Sequence, residues 1–155
     1  MLCRSSKSYC SEALIMYYHF SIERHDGFFL ANCCELPDCE VQEKNIKDLN
    51  EKMYDKLFDY LFTKTKRIYL PEQHPELFSG HIQNIKIEDS MAFGVLLRYT
   101  REKNNLSVQS TAEKLGYECV WEYQKLEHKS DPSLSLIKKI IRVFPDFPIN
   151  YLFKR

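Results

Sequence analysis

Glycine is scarce, with four in 155 residues. That leaves little room for a Gly-rich phosphate loop or a nucleophile elbow, and the sequence has neither. The six cysteines and five histidines form no CxxC pair and no Cys/His ligand spacing, which argues against a zinc module. The longest apolar run, Ala13 to Tyr18, is too short to cross a bilayer. The N-terminus has no signal-peptide pattern. Lys+Arg and Asp+Glu number 22 each, so there is no net charge of either sign. Repeats and low-complexity stretches are missing too. Together these absences predict a cytoplasmic globular protein with reduced thiols and no cofactor or metal.

The charge is uneven along the chain. Residues 1–80 carry 10 basic and 13 acidic side chains, and residues 81–155 carry 12 and 9. A slightly acidic half therefore precedes a slightly basic one, the sign expected of a nucleic-acid module behind an acidic module.

Periodicity divides the chain the same way. Leu14, Met16, Tyr18, Phe20 and Ile22 alternate with polar residues, which predicts a half-buried strand. Asp26-Gly27 is a hairpin signal, because glycine tolerates positive φ. Strands are expected at Phe28 to Cys34 and Cys39 to Gln42. Ile46, Leu49, Met53, Leu57 and Tyr60 then recur at steps of three and four, so a helix should run from a cap at Asn45 to about Thr63. Lys66 to Leu70 reads as a fourth strand stopped by Pro71. This is a β-β-β-α-β unit over residues 13–72. Residues 73–88 read as a linker, with Ile82, Ile85 and Ile87 as a short apolar segment of open type. Residues 89–155 read as all-α. A first helix is expected from near Ser90 to Asn104-Asn105, and Ser107 starts a second that stops before Gly116. A third covers Glu118 to Glu127. A fourth follows Asp131-Pro132, carries Leu134, Ile137, Ile140 and Ile141, and ends before Pro145. A last turn covers Ile149 to Phe153. The predicted class is α+β.

Residues 106–127 have the layout of a helix-turn-helix, whose second helix can enter a DNA major groove. Leu106-Ser107, Ala112, Lys114-Leu115-Gly116, Leu126-Glu127 and Pro132-Ser133-Leu134 resemble the Cro/repressor-type helix-turn-helix family. The resemblance implies operator DNA as a partner, bound by a homodimer or higher homo-oligomer, and a structural carboxylate at Glu127 that ties down backbone amides. The candidate DNA contacts are Gln109, Ser110, Val120, Trp121, Gln124 and Lys125. Glu118 and Glu122 place acids on the reading helix, where they oppose phosphate approach.

The N-terminal half is similar to HicB antitoxins. The similarity rests on Tyr18-His19-Phe20-Ser21-Ile22-Glu23, Asp26-Gly27, Phe28-Phe29-Leu30 and Glu35-Leu36-Pro37-Asp38-Cys39, with Asp38 where that family usually has glycine. It implies a partial ribonuclease-H-like fold without nuclease activity, and a HicA-like toxin as partner, a small basic protein that cuts mRNA. Glu35, Asp38 and Glu40 would stand in for RNA phosphates against toxin Lys or Arg. Phe28, Phe29 and Leu36 would supply apolar anchors.

No catalytic residue is expected. Ribonuclease-H chemistry needs converging carboxylates on divalent metals, and Glu23 and Asp26 have no second set. The function predicted is an antitoxin that neutralises a ribonuclease and represses its own operator. The alternatives are a solitary regulator that uses the N-terminal module for dimerisation or sensing, and an interaction module without DNA binding.

Overall fold

A computed structural model describes residues 16–152. Leu14, Phe153 and the first expected cysteines, Cys3 and Cys10, lie outside the described residues. The fold is α+β, with a four-stranded antiparallel sheet and five α-helices among the described residues.

β1 (Tyr17–His25) and β2 (Phe28–Cys33) form a hairpin. Asp26-Gly27 makes its two-residue turn, and Gly27 takes φ 88°, a conformation open to glycine without the cost a Cβ brings. β3 (Glu40–Glu43) pairs with β2. The alternation read from the sequence places Met16, Tyr18 and Phe20 in the core. α1 (Ile46–Phe62) packs against β2 and β3, and Leu49, Met53, Leu57 and Tyr60 join the same core. Its cap is the expected one: Asn45 Oδ1 accepts from the Asp48 N–H at 2.9 Å. Ile46, expected on the apolar face, stays exposed at the first turn.

The fourth strand is not where the sequence placed it. Residues 66–70 join no sheet. Their backbone finds side-chain partners instead: the Ile68 N–H donates to Glu102 Oε2 at 3.0 Å, and the Lys66 carbonyl accepts from Arg98. The strand that pairs with β1 is β4 (His81–Lys86), inside the stretch expected as a linker. The sheet order is β3-β2-β1-β4. The segment between α1 and β4 is pinned by the Tyr18 hydroxyl on the Tyr69 carbonyl and the Tyr151 hydroxyl on the Pro71 carbonyl, both at 2.9 Å.

α2 (Asp89–Lys103) is buried at every position from Met91 to Arg98. A helix apolar on all sides belongs inside a core. α3 (Val108–Lys114), α4 (Val120–His128) and α5 (Leu134–Val143) follow. Ser107 Oγ caps α3, accepting from the Ser110 N–H at 3.0 Å. α4 begins at Val120, two residues later than expected. Ser133, not Asp131, caps α5, accepting from the Leu136 N–H at 3.2 Å. The buried side chains form one cluster from Met16 to Leu152. No helix among the described residues is long and apolar enough to cross a membrane.

Candidate functional site

α3 and α4 meet through a short turn that the sequence closes tightly. Ala112 and Leu115 are fully buried. Gly116 takes φ 73°, which a residue with a Cβ resists. The Gly116 and Tyr117 N–H groups donate back to the Glu113 and Ala112 carbonyls, each at 2.9 Å. The first residues of the turn therefore keep their backbone donors paired within it.

α4 is mounted on α2. A Cβ built on Gly94 would lie 2.5 Å from the Glu127 carbonyl oxygen, so only glycine lets the two backbones approach this closely. Arg101 then closes a bidentate pair with Glu127, Nε to Oε1 at 2.6 Å and Nη2 to Oε2 at 3.0 Å. The buried Tyr123 hydroxyl donates to the same carboxylate. Burial, with the Glu127 charge beside it, pushes the Tyr123 phenol up, so it remains a donor. Glu127 is thus structural, as the resemblance implies, but it grips a guanidinium and a phenol rather than backbone amides.

The candidate DNA contacts divide by exposure. Trp121, Gln124 and Lys125 stand exposed on α4. Trp121 is 56% exposed, and the Lys125 ammonium lies 3.5 Å from its ring centroid. That cation–π contact holds both side chains on the helix surface. Val120 is half-buried and packs against the core. Gln109 is exposed at the start of α3, its amide donating to Glu113 Oε1 at 3.0 Å. Ser110 is half-buried, its hydroxyl 2.9 Å from that of Ser107. Glu118 and Glu122 are exposed as well, so acids share this surface. Tyr123 belongs to the core.

The candidate partner-binding residues are less coherent. Leu36 is 1% exposed and lies in the core, so it offers no anchor to a partner. Glu35 also turns inward. It pairs with buried His19 and accepts from the His19 and Glu72 N–H groups at 3.1 and 3.2 Å. A carboxylate so occupied does not stand in for a phosphate. Asp38 and Glu40 are exposed. Asp38 takes φ 60°, the left-handed region that favours glycine, and it pairs with Lys66 at 3.4 Å. Phe28 stacks on His25, ring centroids 4.9 Å apart. Phe29 packs partly against the core, with the Arg24 guanidinium 5.9 Å from its ring centre.

Two features stand apart from the expected sites. An open cavity of about 450 Å³ lies beside Glu35, lined also by Cys34, Tyr69, Phe78 and Tyr151. The other feature is α2 itself: Gly94 and Arg101 mount the surface helix, and Arg98 grips the end of α1. Its signal was present in the sequence: a glycine and an arginine inside an otherwise apolar helix have no reason to be there unless something packs on them. Among the described residues, no group of three or more His, Cys, Asp or Glu side chains is placed to hold a metal ion. No family model matches this chain, and no curated protein matches it.

Proposed function

We propose that the chain is a DNA-binding antitoxin of the HicB type. In this reading α3 and α4 are a Cro/repressor-type helix-turn-helix, and the sheet with α1 is a partial ribonuclease-H-like module that covers a basic, mRNA-cleaving HicA-like toxin. The observation that carries the reading is the exposed set Trp121, Gln124 and Lys125 on a helix held to α2 by Gly94, Arg101 and Tyr123. A reading helix needs both properties: side chains free to reach base edges, and a rigid mount that fixes their register.

The chemistry suits a major groove. Gln124 has the two-sided hydrogen bonding that adenine takes, the Trp121 ring offers apolar contact to a thymine methyl, and Lys125 supplies charge for a phosphate. Glu122 can accept from cytosine N4. One such helix covers a half-site, so a homodimer or higher homo-oligomer is the operator-binding form. The test is a titration of the gene's own upstream DNA at several salt concentrations. Lys125→Ala should weaken binding across sequences and flatten the salt dependence by about one charge. Binding no tighter than to unrelated DNA of equal length sinks the operator reading.

A second reading draws support from the inward turn of Glu35 and Leu36. It leaves Asp38 and Glu40 as the exposed acids of the expected toxin face, beside half-buried Phe28 and Phe29. A solitary regulator, with the sheet used for dimerisation or sensing, needs no such face.

A further inference from the structure

Three cysteines, Cys33, Cys34 and Cys39, fall within seven residues. Cys33 ends β2. The pairing of β2 with β3 sets Asn32 opposite Glu40, so the next pair outward is Cys33 opposite Cys39. The Cys33 N–H donates to the Cys39 carbonyl at 2.8 Å. A hydrogen-bonded antiparallel pair has its Cα atoms about 5.5 Å apart. Disulfides span roughly 4.4–6.8 Å between Cα atoms, a range that includes the spacing of opposed antiparallel residues. Directly opposed residues put their side chains on one face of the sheet. Here both side chains go into the core. Cys33, Cys34 and Cys39 are all free thiols in the structure.

The two sulfurs differ in character. The Cys33 thiol is pushed up by the neighbouring Cys39 thiol and by burial, and it donates to Glu35 Oε2 at 3.5 Å. Cys39 is drawn down by the neighbouring Cys33 thiol, with Lys56 and Lys66 adding positive potential against the opposing effect of burial. One sulfur is therefore the better thiolate and the other keeps its proton. Cys34, next in sequence, points away from this pair by strand alternation and lines the open cavity.

We propose that Cys33 and Cys39 are a redox-modification site that a hydroperoxide closes into a disulfide across the β2–β3 loop. The Cys39 thiolate attacks a peroxide oxygen, the O–O bond breaks, and the hydroxide released takes a proton to become water. The resulting sulfenic acid is attacked at sulfur by Cys33. Its S–O bond breaks, and the leaving hydroxide takes the Cys33 proton as a second water. Two thiols lose two electrons, and one hydrogen peroxide becomes two waters. Closure would lock the five-residue loop Cys34–Asp38, which includes exposed Asp38. The site stands on the strand pairing and does not depend on the partner reading.

The experiment treats the reduced, full-length chain with hydrogen peroxide in native buffer, blocks remaining thiols with N-ethylmaleimide and digests with trypsin. Cleavage after Arg24 and Lys44 leaves Cys33, Cys34 and Cys39 in one peptide. That peptide should carry a single maleimide, on Cys34, and lack two hydrogens. Closure should be faster in native buffer than in urea, persist in Cys34→Ser and vanish in Cys39→Ser. Three maleimides on the peptide, a label on Cys39 with Cys33 joined to Cys34, or closure no faster than in urea would each overturn the proposal. The wild-type map alone decides it if a serine variant fails to fold.

Discussion

Arg98→Met should lower the stability of the whole chain by about 3–5 kcal/mol, the usual result of removing one partner from a buried charged network. Arg98 is 6% exposed. Its Nη1 donates to the Leu61 carbonyl at 2.8 Å and its Nη2 to the Thr63 carbonyl at 2.9 Å. Nη2 also reaches the Lys66 carbonyl, and Nε pairs with Glu102 at 2.7 Å. The first two acceptors close the C-terminal end of α1, where unpaired carbonyls collect partial negative charge. The third holds the segment that leaves α1. A single guanidinium thus joins α2 to the α/β part of the fold. Methionine would fill the space of the stem and leave those acceptors without donors, at about 1–3 kcal/mol for each buried one. Arg98→Lys should recover only part of the loss, because one ammonium lacks the planar fork that spans these carbonyls. Urea titration at 25 °C reads both variants. A loss under about 1 kcal/mol for Arg98→Met would mean that water replaces the guanidinium, and that this joint is not closed.

Gly94→Ala should also destabilise, against the usual rule. In a helix interior this change normally helps by up to about 1 kcal/mol. Here the added Cβ meets the Glu127 carbonyl oxygen at 2.5 Å, its carbon at 2.7 Å and the Leu126 oxygen at 2.9 Å. All three are backbone atoms of α4, so no side-chain rotation relieves the clash. Forcing a methyl into such a contact costs about 1–3 kcal/mol as overpacking. The helices must part, and the Arg101–Glu127 pair and the Tyr123 hydroxyl bond stretch with them. DNA affinity should fall in conditions where the variant is still fully folded, because the displaced element is the proposed reading helix. The sign of the stability change is the check: a variant more stable than the parent would mean that α2 and α4 are not seated this closely.

Much of the fold was legible because local period carries it. Alternation gave β1, Asp26-Gly27 gave the hairpin, and Asn45 gave the start of α1. Ser107 and Gly116 bounded α3. The misplaced strand shows where local pattern stops. Lys66 to Leu70 is as strand-like as His81 to Lys86. The choice between them depends on which one pairs with β1, and on Arg98 and Glu102 satisfying the loser's backbone from more than thirty residues away. Glu35 failed for the same reason. A carboxylate in a turn reads as surface, and only the fold brings it against buried His19. On the candidate DNA surface, helical spacing put Trp121 and Tyr123 on α4 but did not reveal which faced water. Tyr123 is the core residue, and Trp121 is exposed beside Lys125.

The joint at α2 bears on how the two proposed activities communicate. Arg98 and Glu102 face α1 and the segment after it, while Arg101, one position away, holds α4. A partner seated on the sheet module would therefore act on repression through the arrangement of protomers more readily than through a flexible linker within one chain.

The central claim is tested most directly by expressing the gene together with its native neighbour and determining what co-purifies at moderate salt. The expected result is a stoichiometric complex with a small basic protein that cleaves mRNA when freed and is silent when bound. Asp38→Lys combined with Glu40→Lys should loosen that complex, since both remaining exposed acids of the proposed face change sign. A homo-oligomer alone, with no inhibited ribonuclease beside it, would contradict the antitoxin reading.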